Sequence, residues 1–368
     1  MTLPTGWVHT GYAQRVVFGI DAVDGVGAVV MGTGVRRVLL VTTQGRLASP
    51  DGQRLVERLG RVLASTFAEV RSHVPTSAVQ AAVTQARADG VDGVVSFGGG
   101  SCADLAKAVG FFLEQEAGTP GVSYLDRPLL PHVSIPTTYS GAELTPFFGM
   151  TDEATRQKSG AGGPTVAPVA AVYDPVVTLS TPAQVTAETG MNALAHGIEC
   201  AYSPHRTPEA EAVALACIGR VAGALPGVVA APDDLPGRTA LLEGAVLGGR
   251  CLQNATMGVH HGLSQLVGGR TGLAHGLANG VILSHAVRFN SDAVDMTAIT
   301  VALGGGDAAD AVDRLRAAIG LPARLSECGV TEDDLDAVAR LAQGNRNVQV
   351  NARPVSEDDA RAILRAAF

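Results

Sequence analysis

The chain has 368 residues, of which 46% are hydrophobic and 17% charged, so it can form two well-packed domains and is too apolar to be disordered. Its formal net charge of −8 argues against a nucleic-acid partner held by general electrostatics. The N-terminus lacks a signal-peptide pattern, no run reaches eighteen purely apolar residues, and the five cysteines are scattered. We therefore expect a cytoplasmic protein with reduced thiols and no membrane partner.

Strands and helices alternate through the first half of the chain. Apolar runs bounded by turns predict strands at residues 12–19, 38–43, 68–70, 91–97 and 132–136. Leucines that recur every four residues predict a helix over 49–63, and two further helices follow at 77–88 and from Ala103. Strands that alternate with helices form a parallel sheet with helices on both faces.

The second half has a different pattern. After one further strand at 169–173, almost every segment is helical in period, and acidic N-cap signatures at Thr331 and Ser356 start two late helices. The sequence therefore predicts an α/β N-terminal domain with a parallel sheet over residues 1–161, followed by an all-α helical C-terminal domain over residues 162–368.

The segment 94–107, VVSFGGGSCADLAK, places three glycines and a serine between a buried strand and a helix. The glycines let the backbone approach a ligand closely, and the helix N-terminus adds partial positive charge, which suits a pyrophosphate. The spacing differs from the Rossmann G-x-G-x-x-G pattern, so a tight turn without a ligand is the alternative. Asp104 and Lys107, three residues apart, could form an ordinary surface ion pair.

The segment 134–151, SIPTTYSGAELTPFFGMT, is rich in hydroxyl groups. It follows a strand at the carboxyl edge of the predicted sheet, where ligands bind in open α/β folds. It is either part of a ligand site or an ordinary polar loop.

Six of the nine histidines lie between residues 189 and 290. Asn192 and His196 are four residues apart in a predicted helix, so their side chains leave the same face; His261 and His275 follow among glycines. Three imidazoles and a carboxylate would suit zinc or iron(II), but asparagine in place of the carboxylate removes one negative charge. Any one of these histidines could be a hydrogen-bonded core residue, whereas the whole set indicates a functional site.

The order and spacing of five motifs resemble the iron-type alcohol dehydrogenase superfamily, which includes dehydroquinate synthase-like proteins. The motifs are GGGS-x-x-D-x-x-K, IPTTYSGAELTP, TGMNALAHGIE, HHGLSQLVGG and AHGLANGVILSHAVRFN. The short PTTYSGAE segment and the asparagine of GMNALAH are similar to the maleylacetate reductase branch; the metal-binding branch carries aspartate at that position.

This resemblance implies that the N-terminal domain binds NADH or NADPH. The cofactor-binding residues that it implies are Gly98, Gly99, Gly100, Ser101 and Asp104 at the pyrophosphate, Thr137, Thr138 and Tyr139 along the nicotinamide and adenine side, and Lys158. Thr42 and Thr43 end the strand where an acidic residue would favour NAD, so both cofactors remain open.

The resemblance also implies an active site in the cleft between the two domains, where histidines face the nicotinamide. The candidate catalytic residues are His196, His261, His275, Tyr139 and Asn192. We expect no metal; if one binds, its ligands would be Asn192, His196, His261 and His275.

One departure from the family pattern concerns proton delivery. The pattern has a second histidine four residues after the first in H-x-x-x-H, and this chain has Gln265 there. Glutamine cannot shuttle a proton near neutral pH. His260, His261 or Tyr139 must then substitute, or the chemistry has changed.

The resemblance favours a metal-independent NAD(P)H-dependent reductase of the maleylacetate reductase type, which transfers hydride to an activated C=C or C=O of a small oxo acid. A dicarboxylic substrate would meet Arg156, Lys158 or Arg270. The alternatives are a metal-dependent iron-type alcohol dehydrogenase in which Asn192 coordinates through its carbonyl, a lyase of the dehydroquinate synthase type, and a repurposed homologue. The expected partner is a small-molecule substrate, and the family implies a homodimer, to which the short N-terminal strand is suited.

Overall fold

The computed structural model describes residues 6–118, 128–154 and 158–368, without the side chain of Lys158. The chain divides into two compact units. The sheet unit is Gly11–Thr181, and the helical unit is Pro182–Phe368 together with Met1–Thr10, of which residues 6–10 are described.

The sheet unit contains alternating strands and helices. Its strands are β1 (Arg15–Phe18), β2 (Val38–Val41), β3 (Leu63–Phe67), β4 (Gly93–Gly98), β5 (His132–Pro136), β6 (Phe147–Thr151), β7 (Lys158–Gly162) and β8 (Ala170–Tyr173). Its helices are α1 (Val26–Gly32), α2 (Gln44–Ala48), α3 (Pro50–Leu59), α4 (Thr76–Ala88), α5 (Gly100–Glu116) and α6 (Pro175–Thr178).

Six strands form one parallel sheet in the order β1-β8-β5-β4-β2-β3, and β6 and β7 form a separate antiparallel hairpin. The inner strands β2, β4, β5 and β8 are completely buried, as expected when helices cover both faces of a parallel sheet. Strand β2 pairs with β3 on one side and β4 on the other. The carboxyl ends of β2 and β4 therefore flank a topological switch point, where ligands bind in open α/β sheets.

Alternate side chains of β2 show how the sheet divides its core. Leu39 and Val41 pack in one apolar cluster with α4 and α5, whereas Val38 and Leu40 pack in another with α1 and α3. Because successive side chains of a strand point to opposite faces, both faces are covered. The predicted parallel sheet with helices on both faces is confirmed.

The helical unit contains the remaining helices. They are α7 (Ala183–Tyr202), α8 (Pro208–Ala230), α9 (Leu235–Cys251), α10 (Val259–Thr271), α11 (His275–Ser291), α12 (Thr297–Ala302), α13 (Ala308–Ala318), α14 (Glu332–Ala342), α15 (Arg346–Gln349) and α16 (Glu357–Ala366). Helix α8 is long and apolar enough to cross a membrane by length and composition alone. It packs against α7 and α9, and a single helix of this kind is weak evidence for a membrane span.

Three predictions of boundaries need correction. The strand predicted at 68–70 lies at Leu63–Phe67, because Gly60, with φ of 49°, ends the preceding helix at Leu59. The helix predicted from Ala103 begins at Gly100. The division between the units follows Thr181 and not residue 161, because β8 is hydrogen-bonded between β1 and β5.

Candidate active site

The glycine segment, residues 98–100 at the end of β4, packs closely against neighbouring side chains. Gly98 has φ of 146°, and a Cβ there would lie 2.5 Å from Cys102 Sγ. A Cβ on Gly99 would lie 3.2 Å from Thr138 Cγ2. Gly99 is the N-cap of α5, and no side chain caps the helix there. The N-terminus of this long helix, lined by backbone N–H groups, therefore suits an anion such as a pyrophosphate.

Hydroxyl groups surround this helix N-terminus at the carboxyl edge of the sheet. The Thr137 N–H donates to the Gly98 carbonyl at 3.0 Å, and Thr42 Oγ1 donates to the Phe97 carbonyl at 2.7 Å. The hydroxyls of Thr137 and Thr138 are buried and have no hydrogen-bond partner among the described residues. Buried polar groups normally find partners, so phosphate or ribose oxygens at this edge fit the residues present.

Two other residues predicted at the cofactor have different environments. The Thr43 side chain accepts a hydrogen bond from the Arg46 N–H at 3.2 Å and so caps α2. Tyr139 is completely buried in the sheet unit. Its predicted roles at the cofactor and in catalysis stay predictions.

Lys107 is buried and Asp104 is partly exposed, so their ion pair is not the ordinary surface pair that the sequence allowed. Lys107 Nζ donates to Asp104 Oδ1 at 3.2 Å, to Thr145 Oγ1 at 3.0 Å and to the Phe147 carbonyl at 2.8 Å. The other carboxylate oxygen of Asp104 accepts from the Gly149 N–H at 3.3 Å. Burial lowers the pKa of Lys107. The pair ties α5 to the β6–β7 hairpin beside the glycine segment.

Of the three cations expected to meet a dicarboxylic substrate, only Arg270 has a described side chain. Arg156 lies outside the described residues, and only the backbone of Lys158 is described, at the start of β7. Arg270 Nε donates to Asp334 Oδ1 at 2.7 Å. Arg270 is thus already paired with a carboxylate in the helical unit.

Three of the predicted catalytic histidines come together in the helical unit. His196 lies on α7, His261 in the first turn of α10, and His275 at the first residue of α11. The rings of His196 and His261 are nearly parallel, with centroids 4.8 Å apart, and the centroids of His261 and His275 are 5.9 Å apart. His196 and His261 are buried and His275 is half-buried, so this histidine cluster opens at His275.

Glu199 is a member of the site that the sequence analysis missed. Its Oε2 accepts from His261 Nδ1 at 2.6 Å and from the His261 N–H at 3.3 Å, and its Oε1 accepts from the His260 N–H at 3.0 Å. Burial alone would raise the pKa of Glu199, but hydrogen bonds from His260 and His261 hold it below its ordinary value. Glu199 lies three residues after His196 on α7, and this i,i+3 spacing is the signal that could have identified it.

His260 contacts both a backbone carbonyl and His261 of the cluster. Its Nε2 lies 3.0 Å from the Asn279 carbonyl oxygen, and its Nδ1 lies 3.2 Å from His261 Nδ1. A carbonyl oxygen only accepts, so the neutral His260 ring carries its proton on Nε2.

Burial, and secondarily the neighbouring His261, lowers the pKa of His196 far below its ordinary value. Gln265 Oε1 accepts from Asn347 Nδ2 at 3.2 Å.

Asn192 does not fit a metal ligand in this arrangement. Its Oδ1, the side-chain atom best suited to coordinate a cation, accepts from Asn279 Nδ2 at 2.6 Å. With Asn192 engaged, three imidazoles remain from the predicted ligand set, and this set contains no carboxylate to balance a dication. Glu199, His260 and His261 bring donor atoms within 4.8 Å of one another, but these atoms already hydrogen-bond among themselves.

Two family models match the chain. One, described as iron-containing alcohol dehydrogenase, matches residues 13–175, and the other, described as the Fe-containing alcohol dehydrogenase family, C-terminal, matches residues 186–368. The chain belongs to this family.

Curated relatives agree with the family assignment. The chain is 35% identical over 363 residues to maleylacetate reductase from Rhizobium sp. (strain MTP-10005), and this match covers 98% of the chain and 97% of the relative. It is 32% identical over 364 residues to maleylacetate reductase from Pseudomonas aeruginosa, with the same coverage. The predicted similarity to the maleylacetate reductase branch is confirmed, and the chain is an oxidoreductase.

Solved structures share the fold. A maleylacetate reductase from Agrobacterium tumefaciens superposes with a TM-score of 0.87 at 32% identity, covering 99% of this chain and 98% of that one. A 1,3-propanediol oxidoreductase superposes with a TM-score of 0.90 at 29% identity, covering 96% and 98%. The predicted fold class, an α/β part followed by a helical part, is confirmed.

Proposed function

We propose that this protein is an NAD(P)H-dependent reductase of the maleylacetate reductase type, which reduces an activated C=C or C=O bond of a small oxo acid without a metal. The observation that carries the proposal concerns Asn192, which joins the three histidines in the predicted ligand set. Its amide oxygen accepts a hydrogen bond from Asn279. Relatives named maleylacetate reductase over nearly the full length support the reaction type. We also expect a cytoplasmic homodimer.

The cofactor site is supported by the sheet unit alone. The start of α5 offers backbone N–H groups for the pyrophosphate, and the hydroxyls of Thr137 and Thr138 offer hydrogen bonds to the cofactor. Bound NAD(P)H supplies the hydride and is oxidised to NAD(P)⁺. No acidic side chain follows β2, where Thr42 and Thr43 lie, so we expect both NADH and NADPH to bind.

The cofactor supplies the hydride, and the histidine cluster stabilises the resulting negative charge and supplies the proton. Addition of hydride to an enone leaves negative charge on the enolate oxygen, and a proton must follow. Imidazole and amide groups of the helical unit donate hydrogen bonds to this charge. An enolate is more stable than the alkoxide that a dehydrogenase forms, so it requires less help from a cation.

A metal-dependent alcohol dehydrogenase of the iron type is the second candidate. Glu199 behind His261 favours it, because carboxylates often orient imidazoles that bind metals. It requires Asn192 to release Asn279 and coordinate through its carbonyl.

One experiment decides between these functions. Protein purified without chelator is analysed for bound metal and assayed with NADH and NADPH against a panel of enone acids that includes maleylacetate, with and without EDTA. We expect oxidation of the nicotinamide that EDTA leaves unchanged. If the nicotinamide absorbance never falls, the reductase proposal is wrong. One tightly bound iron or zinc per chain, with activity lost on chelation, would establish the second candidate instead.

A further inference from the structure

The carboxylate of Glu199 is held in place by hydrogen bonds from both α7 and α10. Its two oxygens accept from the backbone N–H groups of His260 and His261 in the first turn of α10, and Tyr202 OH donates to it at 3.5 Å. Helix α10 thus obtains its N-terminal cap from a side chain of α7, 62 residues earlier in the chain. This cap fixes the carboxylate in one place, and the same carboxylate also accepts from His261 Nδ1.

The hydrogen bond from His261 Nδ1 determines which ring nitrogen can act on a substrate. An ionised carboxylate only accepts hydrogen bonds, so the proton lies on Nδ1 of His261. Nδ1 also lies beside Nδ1 of His260, whose own proton is on Nε2 at the Asn279 carbonyl. Both contacts agree on the same tautomer. Proton exchange between His261 and a substrate can therefore involve only Nε2.

Glu199 lies much closer to the ring of His261 than to that of His260: its Oε2 is 2.6 Å from His261 Nδ1 and 3.8 Å from His260 Nδ1. The proton on Nε2 of His260 is already engaged, because it is donated to the Asn279 carbonyl at 3.0 Å. We propose that His261 is the proton donor of the reduction and that Glu199 is the positioning residue that fixes its tautomer and orientation. This proposal rests on the proposed reductase function. It assigns the proton transfer that Gln265 cannot perform.

The proton step balances without a further reactant. The Nε2–H bond of the His261 imidazolium breaks and leaves its electron pair on Nε2. The proton forms a C–H bond at the enolate carbon next to the carbonyl group, the enolate C=C becomes a single bond, and the oxygen returns to a carbonyl. His261 is left neutral with its proton on Nδ1, hydrogen-bonded to Glu199, and takes a new proton at Nε2 from water.

The first test compares two buried glutamates in the presence of EDTA, so that weaker metal binding cannot explain a loss. Glu199→Gln keeps the shape but replaces one acceptor oxygen with a donor. We expect kcat for the enone acid to fall about 10²-fold or more, with the KM values for substrate and NAD(P)H within about threefold of the wild type. Glu114→Gln is the control, because Glu114 is equally buried and accepts from the Leu129 N–H and Thr165 Oγ1 in the sheet unit. It should leave kcat unchanged.

A double-mutant cycle separates positioning from general support of the fold. His261→Gln should lower kcat at least as much as Glu199→Gln, and the double variant should lose no more than His261→Gln alone. Losses that multiply would overturn the positioning role, because Glu199 would then act independently of His261.

The tautomer can be measured in the wild-type protein, so this test does not depend on whether a variant folds. With ¹⁵N-labelled histidine, the ring signals that disappear in His261→Gln belong to His261. We expect its Nδ1 to carry a proton; an unprotonated Nδ1 would overturn the proposal. If the wild type reduces no enone acid, the proposed function and the proton step fail together, whereas the positioning of the His261 ring by Glu199 is still decided by the NMR spectrum.

Discussion

At the scale of single residues, the completely buried strand β5 carries a histidine, His132. His132 is almost fully buried on β5, and its Nε2 lies 2.8 Å from Ser96 Oγ, which lies 2.8 Å from Ser134 Oγ. Burial, with a smaller effect from Lys107, lowers the pKa of His132 to about 3. As the pH falls through 6.5, His132 would take up a proton in the unfolded protein but stays neutral in the folded one.

The pH dependence of stability should report this buried ring. Because the folded pKa lies below the unfolded value of 6.5, the unfolded state binds one more proton between these values, and acid favours unfolding. Between pH 6 and pH 4 we expect the free energy of unfolding to fall by up to about 1.4 kcal/mol per pH unit more in the wild type than in His132→Gln. Urea unfolding at several pH values measures this slope.

His205 provides the control for this prediction. It is exposed, so its surroundings change little on unfolding and His205→Gln should keep the wild-type slope. Equal slopes for the wild type and His132→Gln would show that His132 contributes nothing to acid sensitivity.

At the scale of elements, the junction between β4 and α5 depends on glycine. The positive φ of Gly98 and the close approach of Cys102 exclude a side chain there, and Gly99 allows the loop after β5 to pass close to the helix start. The same helix is anchored further along by the ion pair between Asp104 and the buried Lys107. The helix N-terminus is thus fixed at the switch point before any cofactor binds.

We predict that Gly98→Ala weakens NAD(P)H binding. The added Cβ would lie 2.5 Å from Cys102 Sγ in a backbone conformation that alanine rarely adopts, and strain of this kind costs roughly 1–3 kcal/mol. The dissociation constant, measured by titration of NAD(P)H fluorescence, should rise about 10- to 100-fold. Gly110→Ala on the same helix is the control, because its Cβ would meet nothing closer than 4.0 Å. An unchanged affinity in Gly98→Ala would remove the glycine segment from the cofactor site.

At the scale of the whole molecule, one edge of the parallel sheet is open. Within the part of the chain that the structure describes, β1 is an outer strand that pairs only with β8, and Val16 on it is 39% exposed. Unpaired strand edges carry N–H and C=O groups that readily pair with another chain. This edge suits the predicted homodimer.

Light scattering coupled to gel filtration tests the dimer. We expect a species of twice the chain mass, and we expect Val16→Lys to shift it toward the monomer, because charge on an edge strand opposes pairing. Val301→Lys is the control, since Val301 is exposed on α12 in the helical unit. A wild-type monomer would contradict the prediction, and a dimer that Val16→Lys leaves intact would place the interface elsewhere.

The sequence by itself determined the order of the elements, the two kinds of folding unit, the family and the three motifs at the candidate site. These depend on local signals: apolar periodicity, turn residues, and the spacing of glycines and histidines within single segments. The N-caps predicted at Thr331 and Ser356 are both present, each as a capping box, because a cap involves residues only three positions apart.

Only the tertiary structure decided the features that join distant segments. Strand β8 belongs to the sheet unit because it pairs with β1 and β5, Lys107 is buried because the β6–β7 hairpin covers it, and Glu199 joins the histidine cluster because α10 begins beside α7. The tautomer of His261 follows from that last contact. A hydrogen bond between residues far apart in the chain leaves no periodic trace in the sequence, so its partners appear only when the helices are packed.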